Sequence, residues 1–448
     1  MTPYFPLITD LLAIAFSIHI SSLLVLGSQI NIFAYHTGPT VFILLASVLS
    51  FYIFNLYDAS RFRKSGETAI RLAAGVGLAN ILAGFISYVF GHWQFPQWLF
   101  ILQAIISYPL LFGLRRVSAI LAASGGRERV LIVGQGDSAR ELAGVMKHKG
   151  YQVVGYVVDS QDLWGVGPDG LFVAGPVSNV LSIAEAQQAR TIVLAGNGTD
   201  LNSHMDVLLR ARLSGIVVEE LVTAYERVTD RVPVRFIQDR WLLLEQGFSL
   251  YSKDVVRKLK RTMDILVALL LLGLLWPLMG MAIILIKRDS PGPAIFSQAR
   301  VGEGKRVFTL YKFRSMIHDA EQNGAVWAEQ NDPRITKIGH WLRKTRIDEL
   351  PQLINVIRGD MSLVGPRPER PEFVRDLEKE IPYYYIRHTV KPGITGWAQI
   401  MYPYGSTKKD ALNKLEYELF YIKNMSLLLD VKILCRTIGV MVFGEGAR

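Results

Sequence analysis

Apolar stretches about 20 residues long constrain this chain most, because segments of that length span a hydrocarbon core and are unusual in a soluble domain. Four of them fill the first quarter of the chain, approximately Ile8–Leu26, Pro39–Leu56, Ala69–Phe90 and Trp98–Leu114. The connections Gln29–Thr40 and Gly91–Gln97 carry no Lys or Arg. The connection between the second and third stretches carries Arg61, Arg63, Lys64 and Arg71, and Arg115-Arg116 follow the fourth. Cations favour the cytoplasmic side, so both ends of this block are expected to face the cytoplasm. Asp10, near the edge of the first stretch, is read as interfacial and without a role. The N-terminus has no charged n-region or small-residue cleavage site, so it is not read as a removable signal peptide.

A further apolar run, Met263–Ile286, has different flanks. Arg257, Lys258, Lys260 and Arg261 precede it, and Lys287 and Arg288 follow. Both ends then prefer the cytoplasmic side, which one crossing cannot satisfy. Pro277 near its middle is expected to break the helix, giving a re-entrant hairpin in one leaflet. Half of the residues are hydrophobic and 20% are charged, more apolar than an ordinary soluble chain. The formal charge of +10 would fit nucleic acid, but it fits an anionic membrane surface or phosphorylated substrates equally well, and no nucleic-acid partner is expected. With Cys435 as the single cysteine, no intrachain disulfide can form, and no zinc spacing occurs.

From Glu128 short β-rich runs alternate with helical ones. Val130–Val133 reads as a buried strand, and Gly134-Gln-Gly136-Asp-Ser-Ala139 leads into a helix through about Lys149. Gln152–Val158, Thr191–Leu194 and Gly215–Glu219 are further strands. Such a series predicts a Rossmann-like parallel sheet. Gly134, Gly136 and, about 20 residues on, Asp159 match a dinucleotide fingerprint. The same residues also suit a tight turn and a strand end, and both readings stay open. Tyr404 and Lys408 have the spacing of a dehydrogenase pair, but Pro403 and Gly405 make a catalytic helix there improbable.

The densest chemistry lies in Arg343–Arg370. Asp348-Glu349 is followed by Leu350-Pro351, with Arg343, Lys344 and Arg346 before it and Arg358, Arg367 and Arg370 after it. Leu350, Leu353, Ile354 and Ile357 recur at helical spacing. Pro351 suits a first helical turn and Gly359 a stop, so the acidic pair is expected at a helix N-terminus. Such a pair can be a plain cap. It can also be an ionised nucleophile with arginines holding a diphosphate beside it. Upstream, Arg300, Lys312 and Arg314 add cations, which suits a polyanionic substrate. Gly365-Pro-Arg-Pro-Glu369 presents Arg367 on a stiff loop, and Lys391-Pro-Gly-Ile-Thr-Gly-Trp397 is a second rigid loop. The helical pattern from Lys414 to Val442 reads either as lying on the membrane surface or as a core helix.

KRTMDI, DSPGPAIFSQARVG, YKFRSM, RIDELPQLINVIRGDMSLVGPRP, KPGITGW and YIKNMSLLLD together resemble the bacterial sugar transferases, the monotopic phosphoglycosyl transferases. With four spans and a Rossmann-like domain ahead, the chain looks like their large, exopolysaccharide-initiating branch. The resemblance covers Lys258 to about Val442. It implies transfer of hexose-1-phosphate from a UDP-hexose to undecaprenyl (polyprenyl) phosphate, with release of UMP. Asp348 matches the nucleophile and Glu349 its acidic partner, both tied to Mg2+. Arg343 and Arg367 match phosphate-binding arginines, with Lys312, Arg314 and Arg300 expected beside them. Family members often carry serine where this chain has Trp276 before the hairpin proline.

The fold class expected is membrane α plus α/β. It comprises a four-helix transmembrane block (1–116), a Rossmann-like cytoplasmic domain (117–250), and a mostly helical cytoplasmic transferase domain with the re-entrant hairpin (251–448). Localisation is expected at the bacterial inner membrane among its lipids, and homo-oligomer formation stays open. The alternative reading is a membrane-bound NAD-dependent nucleotide-sugar dehydratase or oxidoreductase, which leaves residues 258–448 unexplained.

Overall fold

The computed structural model describes residues 5–26, 37–54, 56–57, 65–89, 97–124, 127–159, 165–166, 172–195, 201–248, 254–317, 332–402, 405 and 407–443. Arg61, Arg63, Lys64 and Tyr404 lie outside them. The chain divides into two compact units, one of residues 1–126 with 431–445, the other chiefly of 127–430.

In the first unit, helices α1 (Phe5–Leu26), α2 (Thr37–Ile53), α3 (Ser65–Val89) and α4 (Gln97–Ser124) correspond to the four apolar stretches. Three are long and apolar enough to cross a membrane, and the apolar part of α2, Thr40–Ile53, is shorter. Helix α4 runs through Pro109 and past the Arg115-Arg116 pair to Ser124. Ile14, Ile18, Phe51, Leu72, Leu99 and Leu111 form the core, and Cys435 from the last helix packs into it. Of the two readings of the C-terminal pattern, buried packing therefore holds for this part. Asp10 is buried and paired. Arg115 Nη1 and Nη2 donate to its two carboxylate oxygens at 3.0 and 2.8 Å.

The second unit begins with the expected parallel sheet. Strands β1 (Arg129–Val133), β2 (Gln152–Val157), β3 (Gly165–Val166), β4 (Phe172–Val173), β5 (Thr191–Leu194) and β6 (Val217–Glu220) stand in the order β3-β4-β2-β1-β5-β6. All pairings are parallel except β3 with β4. Order reverses at β1, the place where ligands of doubly wound sheets bind. Helix α5 (Asp137–His148) follows β1, α6 (Val180–Ala186) and α7 (Met205–Leu213) flank β5, and α8 (Leu221–Thr229) follows β6.

After the short helix α9 (Asp239–Leu244), helix α10 covers Asp254–Asp289, 36 residues. Pro277 lies inside it and does not interrupt it, so the expected break is absent as a break in helical structure. A proline removes one backbone donor and leaves the preceding and following turns free to continue. The apolar stretch is 11% buried, so its middle keeps a bare apolar surface. Both ends pack within the second unit. At one end Lys260 pairs with Asp430 at 2.7 Å, and Asp264 Oδ1 accepts from Leu363 N at 3.1 Å. At the other, Ala282 and Ile286 pack with Phe313, Leu342 and Ile347, and Asp289 Oδ2 accepts from Ile338 N at 3.1 Å.

The remaining elements are the antiparallel pair β7 (Ile295–Val301) and β8 (Val307–Phe313), α11 (Lys337–Lys344), α12 (Gln352–Arg358) and α13 (Pro371–Glu380). The parallel pair is β9 (Ser362–Val364) with β10 (Gly393–Thr395), and α14 (Trp397–Met401) and α15 (Lys408–Lys423) follow. The last helix, α16 (Leu427–Phe443), starts after a break at Asn424, which splits the single pattern expected from Lys414.

Candidate active site

Local sequence sets the acidic pair in a bend between two helices. Thr336 Oγ1 accepts from Gly339 N at 3.0 Å and caps α11. Arg346 adopts a left-handed φ of 59°, which turns the chain into a 3-10 turn, Ile347–Glu349. Pro351 then caps α12, and Gly359, at φ 95°, ends it. Asp348 and Glu349 thus stand one turn ahead of the helix rather than on its first residues. Leu350 and Pro351, both with right-handed helical backbone angles, carry the 3-10 turn directly into α12.

Asp348 and Glu349 are each 7% exposed, yet their surroundings differ. Glu349 Oε1 accepts from Arg367 Nη2 at 2.9 Å and from Lys312 Nζ at 3.4 Å, and Oε2 lies 3.7 Å from Arg346 Nη1. Asp348 Oδ1 is buried with no hydrogen-bond partner among the described residues. Burial, then the Glu349 charge, pushes the Asp348 carboxyl above the ordinary aspartate range, against the pull of Lys312, Arg343 and Arg367. Burial works the same way on Glu349, but Arg367, Lys312 and Arg346 overcome it and hold that carboxyl well below its usual range. Burial also lowers the Lys312 ammonium. The side chain of Arg343, half-buried in the last turn of α11, carries no hydrogen bond or ion pair among the described residues. An open carboxylate oxygen beside an uncommitted arginine and a cation-saturated glutamate can receive a phosphorylated group.

Lys312 is placed by Asn355, fully buried in α12. Its Oδ1 accepts from Tyr311 N at 3.1 Å and its Nδ2 donates to Thr309 O at 2.7 Å, which ties β8 to the helix. Arg367 is placed by two interlocked loops. Gly365 N donates to Thr395 O and Gly393 N to Pro366 O, both at 2.9 Å. A Cβ on Gly365 would run into the Lys391 carbonyl, and one on Gly396 into the Gly365 carbonyl, so the backbones meet without side chains between them. Arg300 supports the same loop, donating to Pro368 O at 3.1 Å. Arg314 does not join the acidic pair. Its guanidinium is taken up at 2.7 Å by the carbonyls of Ser290 and Pro291, where it holds the turn after α10.

Two residues of this constellation escape the motif reading. Arg387 Nη2 donates to Arg367 O at 2.8 Å while Glu418 grips its Nε and Nη2 at 2.8 and 2.9 Å, all of it buried. Gln399 Oε1 accepts from Arg367 Nη1 at 3.3 Å. Both lie more than 15 residues from Arg367 in the chain, and no local spacing links them to it. Among the described residues no cluster of three or more His, Cys, Asp or Glu could hold a metal ion.

In the sheet domain the fingerprint residues are brought together. Gly134 and Gly136, at φ 110° and 104°, make the turn between β1 and α5. Asp159 follows β2, but both its oxygens are engaged. Oδ1 accepts from Val177 N at 3.1 Å and Oδ2 faces His204 Nε2 at 3.0 Å. The strand-end reading of Asp159 thus has a concrete partner set, and a ribose would have to displace it.

Comparison with known proteins adds family membership. The family model described as bacterial sugar transferase matches residues 255–444, and one described as CoA-binding domain matches 52–204. The chain is 46% identical over 241 residues to the UDP-N-acetylgalactosamine-undecaprenyl-phosphate N-acetylgalactosaminephosphotransferase of Aeromonas hydrophila, covering 54% of this chain and 56% of that protein. It is 35% identical over 328 residues to the undecaprenyl-phosphate glucose phosphotransferase of Komagataeibacter xylinus, covering 71% and 60%. The chain therefore spans less than two thirds of either relative's length. A putative undecaprenyl-phosphate N-acetylgalactosaminyl 1-phosphate transferase of Bacillus subtilis is 56% identical over 129 residues, 29% of this chain but 72% of that protein. None of these names favours the oxidoreductase alternative. From the acidic pair and its loops outward, the chain belongs to the bacterial sugar transferase family.

Proposed function

We propose that the protein transfers hexose-1-phosphate from a UDP-hexose to undecaprenyl phosphate and so initiates exopolysaccharide or other glycan assembly. The observation that carries this reading is the unpartnered, buried Asp348 Oδ1 beside Glu349 and three cations, Arg343, Lys312 and Arg367. Asp348 attacks the sugar-linked phosphorus of the UDP-sugar. A P–O bond to aspartate forms, the bond to the UMP oxygen breaks, and UMP leaves with that electron pair. A phosphate oxygen of undecaprenyl phosphate then attacks the same phosphorus, and the Asp348 carboxylate is released. Splitting the transfer into two displacements gives each an activated nucleophile.

Glu349 orients Arg367, Lys312 and Arg346 toward the reacting phosphates. Arg343, whose side chain makes no ion pair among the described residues, is placed to take a phosphate oxygen. Asp348 and Glu349, together with substrate oxygens, are the residues that would hold Mg2+, which when bound neutralises phosphoryl charge. The open Asp348 Oδ1 fits that role. Helix α10 is read as entering and returning through the cytoplasmic leaflet of the inner membrane, since both its ends dock on one soluble part and both carry cations. That geometry brings a soluble donor and a lipid acceptor to one site.

Relatives are named for glucose, galactose and N-acetylgalactosamine, so the test supplies all three UDP-sugars. Membranes containing the protein are incubated with Mg2+ and each donor, with and without undecaprenyl phosphate. UMP release with one donor, and sugar label retained on the protein when acceptor is withheld, are expected. UMP release by Asp348→Asn at the wild-type rate would reject the nucleophile assignment.

A further inference from the structure

Lys391 is a half-buried cation on which the strongest charge effect is that of another cation, Arg261. Its Nζ has no hydrogen bond or ion pair among the described residues. It and Arg261 Nη2 converge on one point beside Gly359, where an added Cβ would meet them at 3.5 and 3.4 Å. The two cationic groups are thus within about 7 Å of each other, close enough to repel strongly when half-buried. Arg261 is held in place, because its Nη1 and Nη2 donate to the carbonyls of Val356 and Ile357 at 2.5 and 2.7 Å. The nearby carboxylates are committed elsewhere. Glu303 pairs with Arg257 at 2.5 Å, and Asp264 accepts from Leu363 N. Burial, and then Arg261, pulls the Lys391 ammonium below the ordinary lysine range.

The bland account makes Lys391 a cation capping the C-terminal end of α12. Yet the Val356 and Ile357 carbonyls already accept from Arg261, so that end is satisfied without it. Gly359, at φ 95°, keeps the space between the two cations clear, since any side chain there would stand between them. Depth supplies the second argument. Helix α10 carries Arg257, Lys258, Lys260 and Arg261 and turns apolar from Met263. In an inserted helix that switch marks the level of the lipid phosphates. Exposed Arg358 at the end of α12 adds positive charge beside the gap.

We propose that Lys391 and Arg261, across the gap at Gly359, form a binding site for a lipid phosphate at the membrane boundary of α10. The phosphate belongs either to an anionic phospholipid headgroup or to a polyprenyl phosphate. This inference rests on membrane insertion of α10 and not on the transfer reaction.

Native mass spectrometry of the full-length protein, released from detergent micelles doped with phosphatidylglycerol or with undecaprenyl phosphate, tests it without any turnover. Lys391→Gln is expected to lower retention of the bound lipid about five-fold, the loss of one direct charge-assisted contact to the phosphate. Lys258→Gln removes the same charge from an exposed position on the same helix end and is expected to leave retention unchanged. Loss of phosphatidylglycerol alone identifies a headgroup site, loss of undecaprenyl phosphate alone an acceptor site, and loss of both a site for either phosphate. Unchanged retention of both lipids in Lys391→Gln, or an equal loss in Lys258→Gln, overturns the proposal. Removing an unpaired half-buried cation is expected to leave Tm at or above the wild-type value. A lowered Tm in Lys391→Gln would assign the residue to the fold and overturn it as well.

Discussion

At the residue scale the site separates two adjacent carboxylates by environment. Glu349 is saturated with cations and stays ionised, whereas Asp348 keeps one oxygen unpartnered. Neighbouring acids pushed apart in this way take different roles. Asp348→Asn is expected to lower transfer by on the order of 10³-fold or more, as loss of a covalent nucleophile does, measured as UMP release. Glu349→Gln is expected to cost about 10²-fold in kcat, since it frees Arg367 and Lys312 together. His388 gives a stability test. Burial, then Arg387 and Lys305, pushes its imidazole down to about 3. Between that value and the ordinary histidine range the unfolded chain binds the proton and the folded one does not, so stability is lost as pH falls through this window. Tm measured from neutral to mildly acid pH should fall in the wild type and fall less in His388→Gln. The carboxylate pair and its cations could be read from the chain because they are crowded into one stretch. Arg387 and Gln399 could not, since each acts through a contact across the fold.

At the element scale, short elements carry the geometry. The loop bearing Arg367 is set by backbone contact between β9 and β10, with glycines where the strands leave no room. Gly365→Ala is expected to destabilise by about 2 kcal/mol, as overpacking does. It should also depress transfer activity beyond that loss of stability, since Arg367 moves with the loop, and Tm and kcat measured on one preparation separate the two effects. The sequence marks the apolar middle of α10 as Met263–Ile286, and the helix runs further at both ends, from Asp254 to Asp289. Pro277, expected to interrupt it, lies within continuous helix. Both ends of α10 pack on the second unit, through Lys260 and Asp264 at one end and Ala282, Ile286 and Asp289 at the other. A reporter enzyme fused after Gly302 is expected to be active in the cytoplasm, and periplasmic activity would mean that α10 crosses the bilayer.

At the scale of the molecule, the parallel sheet and the transferase part form one compact unit rather than two beads. Glu226 at the end of the sheet domain accepts from Lys423 at 2.6 Å and from Asn424 at 2.8 Å, and Trp397 Nε1 donates to Asp230 O at 3.0 Å. Trp397 shares its short helix with Gln399, which touches Arg367. Glu226→Ala leaves Lys423 short of a buried partner and is expected to cost about 3 kcal/mol, seen as a lower Tm of a single melting transition. The sequence by itself determined the apolar helices, the βαβ order and the stretch that crowds the acidic pair among cations, because each rests on periodicity, charge sign or residue type within a short window. Tertiary structure alone decided that Asp10 meets Arg115, that Arg314 holds a turn instead of a phosphate, and that the last helix packs into the membrane block. Those outcomes depend on which distant segments come together and on the burial that follows, and no local pattern encodes either.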